Sequence, residues 1–131
     1  MLALVQAKVL IVGLNGRSGV LRGMPIQFIE TDFGVQAARY LKNERVDVCL
    51  CAWNLLDMPN GMFLRKLRLV KPDIKTIVVV KAGDFRQEIE ARSLGASAVI
   101  TDEYTDELFS ETIAAALGMT SQVAHKQKER S

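Results

Sequence analysis

Five short apolar runs constrain the fold of this chain more than any other feature of its sequence. They occupy residues 8–12, 26–30, 46–52, 74–80 and 96–100, each long enough for a strand and too short for a helix. The run at 74–80, rich in Val and Ile, is the most hydrophobic, as a strand buried on both faces requires. Between the runs, apolar residues recur at helical spacing: Phe33, Ala37, Ala38 and Leu41, then Phe63, Leu64, Leu67 and Val70, then Leu108, Phe109, Ile113 and Leu117. A further helix is expected over 85–94. Thr31 or Asp32 is placed to cap the first of these helices and Thr105 or Asp106 the last. Lys71 with Pro72, Gly95 and Gly118 are stop signals.

Strands alternating with helices predict an α/β fold, a parallel sheet with helices on both faces. Right-handed crossovers then favour the flavodoxin-like strand order 2-1-3-4-5. The first connection, 14–24, holds only a shortened helix before Pro25 ends it. At 131 residues, 49% hydrophobic and 24% charged, the chain is expected to form one domain over 1–118. The remainder, 119–131, is polar and aperiodic and is expected to fray.

The totals exclude several function classes. A net charge of +2 and a pI near 8.6 are too balanced for direct nucleic-acid binding, and Arg65, Lys66, Arg68 and Lys71 read as the wet face of a helix. Cys49 and Cys51 share one face of the third strand and read as small buried hydrophobes of a reduced protein. The single histidine, His125, lies in the tail, so no metal site is indicated. No apolar run reaches membrane-spanning length, and MLALVQAK lacks the features of a signal peptide, which together predict a cytoplasmic protein.

Residues 46–61, VDVCLCAWNLLDMPNG, form a strand, a polar loop and the start of a helix, and the carboxyl ends of parallel strands are where ligands and chemistry gather. Asp47, Asn54, Leu55, Asp57, Met58, Asn60 and Gly61 resemble the phosphoacceptor strand of bacterial response-regulator (CheY-like) receiver domains. GASAVITDEYTDELF, residues 95–109, is similar to a later stretch of that family, and the likeness extends over roughly 8–117. It implies the same fold, here with the first helix cut short.

The resemblance also implies an emptied pocket. Receivers hold a divalent cation and a phosphoryl group with acidic oxygens, two acids after the first strand and the acceptor after the third. Here the first pair falls on Gly13 and Leu14, and the acceptor on Ala52 or Trp53. Lys81 stands where the family has Ser or Thr, Asp102 where it has Lys, and Val99 where it has the switching aromatic. Lys81 and Asp102, on neighbouring strands, either pair or merely face each other. Asp57 lies beyond the strand end without an acidic partner and is not read as a displaced acceptor. The chain is thus expected to be an atypical pseudo-receiver, not an enzyme, with no catalytic residue, cofactor or metal.

What remains is an interaction module in or beside a two-component pathway. The family's fourth helix, fifth strand and fifth helix would present Phe85, Arg86, Arg92, Val99 and Tyr104, with Glu107, to a histidine kinase, a regulatory effector or a second copy. Trp53 is either a further anchor or packing against the shortened first helix. The alternative reading is a nucleotide- or phosphate-binding loop made by Gly13, Gly16, Arg17, Ser18 and Gly19, with Glu30 as a ribose-binding acid. Against it, Gly19 and Glu30 stand closer together than the roughly twenty residues such folds place between loop and acid.

Overall fold

The computed structural model describes residues 7–17 and 19–118. Ser18 and the expected tail at 119–131 lie outside the described residues, as do residues 1–6. Five strands, β1 (Ala7–Val12), β2 (Ile26–Thr31), β3 (Val48–Ala52), β4 (Lys75–Val80) and β5 (Ala98–Thr101), form one parallel sheet in the order β2-β1-β3-β4-β5. Four α-helices connect them: α1 (Gly34–Asn43), α2 (Met62–Val70), α3 (Phe85–Ser93) and α4 (Asp106–Ala116). The expected flavodoxin-like order and element sequence are therefore present.

Alternation along the inner strands sorts the core into two layers. Leu10, Val12, Cys49, Cys51, Val78 and Val80 face α1, α2 and α3, meeting Ala37, Leu41, Phe63, Leu64, Leu67 and Ala91. Val9, Ile11, Val48, Leu50, Ile77, Val79 and Ile100 face the other way, toward Phe109 and Ile113 of α4. β1, β3 and β4 are thereby buried on both faces, which explains why their sequences are continuous apolar runs. Both cysteines are free and buried. The hydrogen bond with the Cys51 side chain, followed by burial, raises the Cys49 thiol well above its ordinary value, consistent with an unreactive core residue.

The first connection contains a five-residue 3₁₀ helix, Gly19–Gly23, in place of an α-helix. Its Leu21 is fully buried in the α4 layer and fills part of the space that a longer helix would cover. β3 begins two residues later than the apolar run because Asp47 works as a pairing group. Its backbone N–H donates to the Lys8 carbonyl at 2.9 Å, and its carboxylate accepts the Lys8 N–H at 2.8 Å. Val70, expected on the buried face of α2, is 61% exposed at the last turn of the helix, and Phe33 and Leu108 are also exposed.

The caps divide the same way. Thr105 caps α4 as expected, its hydroxyl oxygen accepting the Leu108 N–H at 3.1 Å. Neither Thr31 nor Asp32 caps α1; the N-cap is Phe33, which has no capping side chain. The Asp32 carboxylate instead accepts the Asn15 N–H at 3.1 Å.

α2 starts at Gly61, which has φ +75° and sits beneath the indole of Trp53. A Cβ there would lie inside van der Waals contact of three ring carbons. Replacing Gly61 with Ala therefore combines left-handed backbone strain, about 1–2 kcal/mol, with an overlap that a buried, rigid indole cannot relieve. The expected result is a loss of at least about 2 kcal/mol in urea unfolding with an unchanged m-value; a smaller loss would show that Trp53 is free to move.

Candidate functional site

The carboxyl ends of β1, β3, β4 and β5 surround a rim cleft of about 290 Å³, lined among others by Leu14, Asn15, Arg17, Asn54, Lys81 and Asp102. It is built where the sequence places it, and Gly13, Ala52 and Trp53 also line it. Gly13 has φ +84°, its N–H donates to the Thr31 carbonyl at 2.9 Å, and a Cβ at this position would overlap Leu55 and press on Ala52. Leu55 is buried and occupies the space beside Gly13 and Ala52, the two strand ends where the family resemblance expects carboxylates. Leu14 is buried in the α4 layer. Among the described residues no three His, Cys, Asp or Glu side chains converge. The rim does not fit a divalent cation, because aliphatic groups stand where a hard ion needs oxygen ligands.

Trp53 is not a surface anchor. It is only 4% exposed, lies in the layer with α1, α2 and α3, and has the Arg65 guanidinium 5.8 Å from its ring centre. It does not belong to the layer of the short first helix. The loop from Trp53 to Gly61 closes on itself: Gly61 N–H donates to the Trp53 carbonyl at 2.8 Å, and Asn60 N–H to Asn54 Oδ1 at 2.6 Å. Its tip carries Asp57, whose two carboxylate oxygens accept the Gly34 and Val35 N–H groups at 2.8 and 2.9 Å. Asp57 is thus the missing cap of α1, delivered from another loop. Desolvation pushes its carboxyl up, but the N–H bonds from Gly34 and Val35, with its own backbone N–H, outweigh this and hold it below its ordinary value.

Lys81 and Asp102 sit side by side across the β4 and β5 ends but form no ion pair among the described residues. Asp102 is exposed and bonds the backbone beside it, its Oδ1 accepting the Ala82 N–H at 2.9 Å, while its own N–H donates to the Val80 carbonyl at 2.8 Å. A carboxylate that already holds a backbone donor has less to gain from an exposed ammonium that keeps its own hydration. The Lys81 N–H donates to Gln87 Oε1 at 2.9 Å, which ties the same loop to α3.

A different cation crosses the cleft. Arg17 donates to the Asp102 carbonyl at 3.3 Å, and its guanidinium lies 4.6 Å from the Tyr104 ring centre. Tyr104 stacks on Phe109 at 4.9 Å, with its hydroxyl buried and without a hydrogen-bond partner among the described residues. Burial raises its phenol pKa, Arg17 opposes this, and Asp106 adds to it. Tyr104 therefore belongs to the α4 core layer and is not presented beside Phe85, Arg86 and Arg92, which are exposed on α3. Val99 is half-buried on the α3 side of the sheet.

The glycine loop has left-handed backbone at Gly13, Asn15 and Gly16. It leads into the 3₁₀ turn at Gly19, so no α-helix N-terminus stands behind it to receive a phosphate. Glu30 lies on the edge strand β2.

Sequence reasoning pointed to the strand ends that line this cleft, Gly13, Leu14, Ala52, Trp53, Lys81 and Asp102, but it did not identify Leu55, Gln87 or the Arg17 contact. For Asp57 a signal was available: α1 has no acid in its first turn and no capping side chain, so its donors needed a partner from elsewhere.

Comparison of the sequence with family models and with curated proteins finds no match. Among solved structures the chain is similar to a CheY-like response-regulator receiver domain from Methanospirillum hungatei, 20% identical, with a TM-score of 0.79 over 90% of this chain and 98% of that one. The fold is that of the receiver domains. A signal receiver domain of an HD domain-containing protein from Pseudomonas fluorescens gives 18% identity and a TM-score of 0.79 over 90% and 99%. Full-length FixJ from B. japonicum gives 12% and 0.77, with the chain covering 63% of it. On this fold the rim cleft lies at the carboxyl ends of the strands.

Two measurements check the rim. Removing the ring contact by Arg17→Ala is expected to cost about 1 kcal/mol, whereas Tyr104→Phe, which deletes an unpaired hydroxyl, should leave the melting temperature unchanged or raise it. For Asp57 the folded pKa is depressed, so its contribution is fully present above the unfolded value near 3.9 and is lost as pH falls through the folded value. Asp57→Ala should then cost about 1 kcal/mol at pH 7, with the gap to wild type closing in acid. Thermal melts from pH 7 to pH 2 read both, and a gap independent of pH would refute the cap.

Proposed function

We propose that this protein is a phosphorylation-independent receiver-like module that acts by binding other proteins in or beside a two-component pathway, without enzymatic activity of its own. The observation that carries the reading is the residue set at the ends of β1 and β3. Gly13, Leu14 and Ala52 supply no carboxylate, and Leu55 packs into the space beside Gly13 and Ala52. A phosphoryl group brings roughly two negative charges and three acceptor oxygens, and here it has neither an acceptor carboxylate nor a metal-binding set to meet it. With Val99 at the switch position and Asp102 bonded to Ala82, no exposed aromatic stands ready to swing.

The surface best suited to partners is the outer face of α3. Phe85 is 72% exposed and Ile89, one turn on, 66% exposed, an apolar pair flanked by Arg86 and Arg92. Aromatics and arginines of this kind serve as interface anchors, and a histidine kinase, an effector or a second copy are the partners in view. Tyr104, held under Arg17, is not part of this face. A cytoplasmic location fits the reading, and among the described residues no helix is long and apolar enough to cross a membrane.

Incubation with acetyl phosphate and magnesium, or with beryllofluoride and magnesium, should leave the mass and the Trp53 fluorescence unchanged; a covalent adduct on Asp57 or any other acid would refute the reading. If the α3 face mediates self-association, sedimentation of wild type should show a dimer that Phe85→Glu/Ile89→Glu dissociates. A dimer insensitive to both changes would move the interface elsewhere.

A further inference from the structure

Helices α1 and α2 and the residue closing α2 carry six basic side chains, Arg39, Lys42, Arg65, Lys66, Arg68 and Lys71, and no acid. This concentration stands out in a chain of net charge +2. Two of the six are committed within the fold. Arg65 pairs with Glu90 at 3.4 Å and donates to the Asn60 carbonyl at 2.6 Å, and Arg68 donates to the Pro72 carbonyl at 2.8 Å. Lys42, Lys66 and Lys71 are exposed, and none has a carboxylate at ion-pairing distance among the described residues.

The fold brings these three lysines to one place. They border a shallow groove of about 60 Å³ between α1 and α2, floored by Ala38, Leu41, Leu67 and Val70. Val70, at 61% exposure, is the residue whose apolar side chain the helical pattern places in the core and the structure leaves in solvent. The groove holds the equivalent of about two water molecules, room for the end of one aliphatic side chain. All of its charged lining has one sign.

We propose that this groove docks an acidic amphipathic helix of a partner protein, seating one aliphatic side chain on Val70 and Leu67 while carboxylates on the flanking turns meet Lys42, Lys66 and Lys71. An apolar furrow between two helices is what helix-in-groove recognition uses, and the lysine border selects an acidic ligand through charge complementarity. Phosphate backbones alone would need the lysines but not the floor, and a flat lipid surface would not need a furrow. The chain's own 119–131 segment is a poor occupant, since Lys126, Lys128 and Arg130 outnumber Glu129 and share the sign of the border. The surface is separate from the α3 face and does not depend on whether the cleft accepts phosphate.

The test is a selection of displayed twelve-residue helical peptides on the full chain, with binding of enriched peptides measured by fluorescence anisotropy. Enriched sequences should be acidic, with apolar residues at i and i+4. Their affinity should fall at least tenfold on Lys42→Glu/Lys66→Glu/Lys71→Glu and on Val70→Asp, and should weaken as salt rises from 50 to 300 mM, the range over which surface charges are screened. Circular dichroism verifies that each variant folds; if the triple variant does not, Lys66→Glu is read with Val70→Asp. The proposal is overturned if no peptide enriches, if enriched peptides are neutral or basic, or if they bind the variants as well as wild type. It is equally overturned if duplex DNA, phosphatidylserine vesicles or a second copy of the chain binds through these lysines more tightly than the best peptide.

Discussion

Burial of β1, β3 and β4 on both faces is the constraint on which the rest of the molecule depends. A strand covered on both sides has its backbone satisfied by its neighbours and its side chains committed to two apolar layers. Such strands leave no room for polar work along their length. Chemistry and recognition are pushed to the strand ends and to the outer faces of the covering helices, where the rim cleft, the α3 face and the α1–α2 groove lie.

At the carboxyl ends, the loops are held by one another. Leu55 fills the space beside Gly13, Asp57 caps α1, Asp102 bonds Ala82, and Arg17 spans from the glycine loop to Tyr104. Each contact spends a side chain on neutral packing or on backbone donors. On the reading proposed here, such a rim offers no set of carboxylates for an ion to organise, and signalling through it would depend on partner occupancy and not on its own covalent state.

The outer faces differ in character. α3 offers an apolar pair beside charges of both signs, Glu88 with Arg92 and Glu90 with Arg65. α1 and α2 offer a narrow furrow bordered by one sign of charge. Surfaces of the first kind gain affinity by excluding water from apolar anchors, and those of the second by long-range steering that salt weakens. On the two proposals made above, these separate faces would take two kinds of partner without one displacing the other.

Much of the architecture was legible in the residues because it rests on local regularities. The spacing of apolar runs defined five strands, period 2 placed Cys49 and Cys51 on one face, and Thr105 or Asp106 was marked as the cap of the last helix. The family resemblance pointed to the strand ends that line the cleft. Other features depend on residues distant in sequence. Val70 and Phe33 carry a core pattern yet lie where no neighbour covers them, and Tyr104 reads as a surface aromatic until Arg17 arrives from 87 positions earlier by count of the chain. Asp57 looks like a stranded acid until it meets α1, 23 residues away. What the sequence alone determined is therefore the sheet, its order and which residues stand at its strand ends, since periodicity and residue type are local properties. Which loop closes on which, and which lysines share a groove, only the tertiary structure decided, because those contacts are made across the layers after the chain has folded.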